Sequence, residues 1–257
     1  MGRLMAEDFL QVIEANNAAN RLTRAIVPCG PSSWYAPFRE LVNSREIPLT
    51  RLVVFHMDEM LDWQGKPLAD GHPYNFRRVM EAEFYGGIAP ELAVLEPQRH
   101  WLLPSTAAAV AAAIDEAPID ITLGGWGQDG HVAYNQARRQ PYSAVDLSEL
   151  ANSTIRTQEN NADTVLALAQ RVFGTAYQFV PPMSITLGMR ECLSAVKVRL
   201  YSDTGAWKQT AFRVALFADP TPEYPLTLLQ RHPDAILTAT VETARHPISE
   251  HPEWDLV

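Results

Sequence analysis

The stretch Ile119-Asp120-Ile121-Thr122-Leu123-Gly124-Gly125-Trp126-Gly127-Gln128-Asp129-Gly130-His131 sets the reading of the whole chain. Apolar and β-branched residues fill its first half, which predicts a buried strand over 119–123. Glycines then punctuate the run, allowing a sharp turn at the strand end and a close approach of backbone to a ligand. That turn presents Asp129 and His131 two positions apart. A carboxylate beside an imidazole can orient the ring and stabilise its cation, which suits proton transfer. The pattern is that of an active-site turn.

Outward from this segment, β-prone runs recur at 24–27, 51–55, 195–200 and 235–240. Helical periodicity lies between them. It covers a first helix around Phe9 and Ile13, then 34–42, then 72–84 entered through Gly71, His72 and Pro73. An alanine-rich helix runs from an N-cap at Ser105 through Glu116 and is closed by Pro118, and further helices are expected over 159–171 and 206–217. Strands separated by helices imply βαβ crossovers, hence an α/β fold with a mainly parallel sheet and helices on both faces. No linker or repeat divides the chain. The expectation is one domain over residues 1–257, with about 245–257 a surface tail and 138–161 a lid or long loop.

Composition narrows the function. The 257 residues are 47% hydrophobic and 20% charged, as in a folded globule. Lys and Arg number 21 against 30 Asp and Glu, a net charge of −9, which argues against nucleic acid or an anionic membrane as partner. An anionic ligand would need a local cationic pocket. Cys29 and Cys192 form no CxxC pair, so neither a disulfide framework nor a zinc ribbon is expected. No apolar run reaches membrane-spanning length and no signal-peptide core is evident, so a cytoplasmic location is expected.

Gly125 to Gly130 also satisfies GxGxxG. As a dinucleotide site it is poorly placed: Asp129 would face a pyrophosphate with like charge, and His131 stands where a helix should begin. A second constellation, Phe55-His56-Met57-Asp58-Glu59, ends the run 52–55. An Asp after a strand usually caps or turns the chain. In open α/β sheets, however, ligands bind beyond the carboxyl ends of strands, so Asp58 and the Asp129/His131 turn can converge in one crevice. His56 with these carboxylates is a looser metal signal than paired histidines on one helix, and no metal is expected. His56 and Met57 read as core or pocket lining, Glu59 as a backbone acceptor, Cys29 as a small filler, and Trp34, Trp126 and Trp207 as packing residues, with Trp126 placed to wall a ligand.

The segments "VVFHMDEML" and "LGGWGQDGHVAYNQ" resemble the two signatures of the glucosamine-6-phosphate deaminase/isomerase family, related to 6-phosphogluconolactonase. The resemblance continues through "SITLGMREC", "DTGAWKQTAF" and "PLTLLQRHPDAIL". Asn135 favours the deaminase branch. The resemblance implies a Rossmann-like sheet, no redox cofactor, and metal-free chemistry on a phosphorylated sugar by a chain that can be a homo-oligomer. It makes Asp58 the base moving a proton between C2 and C1, His131 the ring-opening histidine and Asp129 its orienting carboxylate. Gly30, Ser32 and Ser33 match the phosphate loop, and Arg171 and Lys208 match phosphate-holding cations. Three departures stand out. Gln136 occupies the position of the histidine's second acidic partner, and an amide cannot ionise. Pro31 removes a backbone donor from the phosphate loop. The segment between Gln136 and Ile155 is longer than usual for the family. The expected activity is aldose–ketose isomerisation, with or without deamination, of glucosamine-6-phosphate or a similar hexose phosphate. The alternatives are a 6-phosphogluconolactonase-type hydrolase or a catalytically impaired sugar-phosphate-binding protein.

Overall fold

Residues 1–136 and 145–245 are described by the computed structural model of the chain. In chain order their strands are β1 (Thr23–Val27), β2 (Leu52–His56), β3 (Asp58–Leu61), β4 (Arg99–His100) and β5 (Ile121–Gly124). There follow β6 (Arg156–Glu159), β7 (Met183–Thr186), β8 (Lys197–Ser202) and β9 (Ala235–Ala239). The central sheet has the order β4-β2-β1-β5-β8-β9, and every neighbouring pair is parallel. Successive strands of this sheet grow outward from β1 toward β4, and the chain then returns to the other side of β1 at β5. This is the doubly wound order, in which the loops after β1 and β5 diverge and leave a crevice at their carboxyl ends.

The inner strands β2 and β5 are buried along their whole length because both sheet faces are covered. Ala25, Val27, Leu52 and Val54 pack with Phe9, Leu10, Phe38 and Leu41 from the helices Gly2–Ala18 and Tyr35–Ser44. Their alternates Ile26, Val53 and Phe55 pack with Val110 and Ile114 of the helix Ala107–Asp115. Period-two side-chain alternation thus divides one run between two cores. Among the described residues no helix is long and apolar enough to cross a membrane.

A second sheet, β3-β7-β6, is antiparallel and escapes the sequence reading. Asp58 is therefore not in a loop beyond β2. Met57 alone separates the strands, and Asp58 opens β3 opposite Thr186. A strand of four residues directly after another offers no turn signal to separate them. The expected lid or loop over 138–161 is also corrected where it is described: residues 145–161 contain the helix Leu147–Ala151 and β6. Residues 137–144 and the expected tail from 246 lie outside the described residues.

Helix ends move for local reasons. Asn75 caps the helix expected at 72, accepting from Arg78 N at 3.0 Å, so it starts at Phe76 and widens into a π turn over Met80–Tyr85. Thr106 rather than Ser105 precedes the alanine-rich helix; its hydroxyl donates to Trp101 O at 2.6 Å. The helix expected from 159 begins at Ala162, capped by Asn161, because β6 claims residues through Glu159.

Candidate active site

A pocket of about 490 Å³ opens at the crevice between the loops after β1 and β5. Gly30, Ser32 and Ser33 line it from the first loop, His131 from the second, Asp58 from the start of β3, and Arg171 and Lys208 from two further segments. The expected convergence of Asp58 with the Asp129/His131 turn is what the fold places there. The two loops touch: a Cβ on Gly125 would stand 3.2 Å from Pro31 Cδ.

The β5 turn needs its glycines. Gly130 has φ +76°, a region costly for residues with a Cβ. At Gly127 a Cβ would overlap both the His131 ring and Asp129 Oδ1, so the imidazole rests against bare backbone. His131 Nδ1 lies 2.7 Å from Asp129 Oδ1, and His131 N donates to the same oxygen at 3.3 Å. The ring approach is close but off the axis of its N–H, an ion-pair contact rather than a strict hydrogen bond. Asp129 Oδ2 accepts from Asn161 Nδ2 at 2.8 Å. Burial opposes ionisation of Asp129, but the His131 charge and these donors outweigh it and hold the carboxyl well below the usual carboxylate range.

Asp58 is the opposite case. It is partly open to the pocket but otherwise enclosed by protein, and burial, with the charge of Glu59 beside it, pushes its carboxyl up to about 8. Glu59 turns away from the pocket, and its carboxylate accepts backbone N–H groups from Met60 (3.0 Å), Phe76 (2.7 Å) and Arg77 (2.7 Å). This is the backbone-acceptor role its position suggested, and it ties β3 to the helix whose Phe76 and Val79 wall the pocket.

Lys208 is buried, and its amine lies 5.7 Å from the Trp126 ring centroid. Burial, with Arg171 nearby, lowers its ammonium to about 8. Arg171 sits at the mouth with its guanidinium 5.7 Å from the Trp207 ring centroid. Among the described residues neither cation has a carboxylate within ion-pair distance. With Thr204, whose buried hydroxyl has no partner among the described residues, they form a site able to take an anion. Trp207 is 46% exposed, so the expectation of a packing residue is corrected to that of a platform for Arg171. Ser33 Oγ is already bonded to Asp203 at 2.5 Å, whereas Ser32 is exposed in the pocket.

Gln136 does not line the pocket. Its Oε1 accepts from Asn161 N at 2.9 Å and Thr164 Oγ1 at 3.0 Å, and its Nε2 donates to Glu159 O at 3.2 Å. Asn135 is buried and braces backbone, donating to Val132 O and Leu187 O. His56 is core: stacked on Trp101 with centroids 3.7 Å apart, bonded to Tyr85, and pushed down to about 3 by burial, it is neutral. Burial pushes the Cys29 thiol up, which removes it as a nucleophile. The glycine-rich run leads into a turn, not a helix, so the helix N-terminus that a dinucleotide fingerprint supplies is missing. Among the described residues no group of three His, Cys, Asp or Glu could hold a metal ion.

Sequence reasoning missed Asn161, Thr204 and Asp203. Asn161 had a signal as a helix cap, although nothing in the sequence links it to Asp129. Asp203 and Thr204 follow β8 at the same sheet edge as the other site loops, and the strand-end rule could have found them.

No family model matches the chain. A glucosamine-6-phosphate deaminase from Shewanella loihica is 32% identical over 210 residues, 80% of this chain and 72% of the relative. One from Aliivibrio fischeri is 27% identical over 248 residues, 92% and 85% of the two chains. Among solved structures, a monomeric glucosamine-6-phosphate deaminase superposes with a TM-score of 0.76 at 19% identity, covering 95% of this chain and 94% of that one. A 6-phosphogluconolactonase from Thermotoga maritima gives 0.60 at 16% identity, covering 93% and 94%. These last two show the shared α/β fold. With this sequence identity spread over most of its length, the chain belongs to the glucosamine-6-phosphate deaminase family.

Proposed function

We propose that the chain isomerises a 2-amino-2-deoxyhexose 6-phosphate from aldose to ketose and releases its nitrogen as ammonia. The observation that carries this reading is the shared pocket: an Asp58 carboxylate with no cation paired to it among the described residues faces the same space as a His131 backed by Asp129. Lys208, Arg171 and Thr204 hold the phosphate in this reading. His131 takes the proton of the anomeric hydroxyl and passes a proton to the ring oxygen as the pyranose opens. Asp58 then takes the proton from C2 and returns it to C1. As the amine gives up a proton and the C1 oxygen gains one, the C1 aldehyde becomes an alcohol and C2 becomes an imine, which adds water and loses ammonia. A carboxyl held near neutrality suits a base that must both accept and return a proton.

The test is incubation with glucosamine-6-phosphate and other hexose phosphates in heavy water, following deuterium at C1 and C2 and ammonia release. Deuterium at carbon with ammonia is the expected result. Consumption of 6-phosphogluconolactone without exchange would replace this reading with hydrolysis. Thermal stabilisation by these ligands with neither reaction would replace it with binding alone.

A further inference from the structure

Behind His131 the structure holds a neutral network where an ionisable side chain would be the obvious choice. Asn161 is its centre. Its Oδ1 accepts from Thr164 N at 2.9 Å, the N-cap bond of the helix Ala162–Val172, and its Nδ2 donates to Asp129 Oδ2 at 2.8 Å. Its own N–H is fixed by Gln136 Oε1 at 2.9 Å. The cap decides which way the amide faces: with Oδ1 required at the helix N-terminus, the NH₂ must point to the carboxylate. Asparagine alone meets both demands. Aspartate can cap but sets a lone pair against Asp129, and serine can cap but is too short to reach it.

We infer that Asn161, supported by Gln136, is the positioning residue of the Asp129–His131 pair: it fixes one carboxylate oxygen so that the other stays on the imidazole. Asp129 then remains the one negative charge directly behind the ring. The charged groups facing it are His131 itself and Lys208, with Asp163 next along the capped helix. Gln136 acts through Asn161 rather than on the histidine, which gives the missing acid a physical replacement. For its activity arm this inference rests on the proposed isomerase reading; for its spectroscopic arm it does not.

The experiment compares wild type, Asn161→Ser and Asn161→Asp in the full chain by two measurements. The first is kcat and KM across pH for solvent exchange into glucosamine-6-phosphate. The second is the His131 imidazole titration and tautomer by NMR in the resting protein. Asn161→Ser keeps the cap, so the fold and KM should hold within about twofold while kcat falls about tenfold to a hundredfold, as for a misplaced catalytic group. Its ring nitrogens should lose their single-tautomer signature. Asn161→Asp should be worse near neutrality and recover toward acid pH, where a protonated Asp can donate as the amide does. A helix cap alone would move melting temperature and leave these readouts alone, so wild-type kcat and ring resonances in Asn161→Ser would overturn the inference. If no hexose phosphate is turned over by wild type yet the ring resonances change as described, the isomerase reading fails and this one stands. If the resonances do not change, this one fails whatever the activity.

Discussion

Asp58 and Asp129 reach the same site from two different sheets, and the protein treats them in opposite ways. Asp58 has Glu59 as its neighbour and no paired cation among the described residues, so burial and like charge raise it to about 8. Asp129 is also buried, but an imidazole and an amide claim its two oxygens, and it stays charged. One side chain type therefore supplies a base that can be reprotonated and a fixed charge that cannot. Environment, not residue identity, sets the roles.

The most severe way to break this comparison is Asp58→Asn. Exchange into substrate should fall by about a thousandfold or more, since the variant amide cannot take the proton from C2, while the KM changes little. Stability should move the other way. The folded protein holds on Asp58 a proton that the unfolded chain releases at 3.8, so stability falls as pH rises from there to about 8. At pH above 8 the variant should melt higher than wild type. A lower melting temperature there would show that Asp58 is not held protonated by burial.

Asp129→Asn should cost about a hundredfold to ten-thousandfold in kcat, because the ring loses both its orienting charge and its preferred tautomer. For Asp129 the linkage sign is reversed: its contribution to stability is present at neutral pH and lost as pH falls. A variant with unimpaired turnover would detach Asp129 from the chemistry.

The gentlest test sharpens the contrast by removing only the like charge. In Glu59→Gln the rising limb of kcat/KM, near pH 8 in wild type as Asp58 ionises, should move toward acid. The shift should be about one unit or less, as for one neighbouring charge in a partly solvated site. The falling limb, set near 8 by deprotonation of Lys208, should stay in place, so the bell should broaden. Melting temperature should drop, since an amide NH₂ would meet one of the backbone N–H groups that Glu59 accepts. An unmoved acid limb would remove Glu59 as a cause of the Asp58 shift.

Much of this architecture was legible in the sequence. The five longer strands of the central sheet were readable because apolar and β-branched residues dominate them, most of all in 51–55 and 119–123, where burial on both faces leaves little polar interruption. β3, β6 and β7 were not, since strands of four residues with mixed polarity leave no period to detect. Asp58, His131, Lys208 and Arg171 could be gathered into one site because each follows or adjoins an element end at the same edge. Asn161 could not. Its bond to Asp129 joins residues from different elements, and helix capping already accounts for an asparagine at that position. Gln136 looked like a lost acid in sequence, and only coordinates show its amide serving Asn161.

The bare α-carbon of Gly127 has an implication of its own. The imidazole occupies space that any other amino acid would fill, so a single methyl group there would evict the ring while leaving every titratable atom in the chain untouched. Loss of turnover by descent therefore requires no change in the acid–base residues themselves, and a relative that keeps Asp58, Asp129 and His131 but not this glycine would be an enzyme in appearance only.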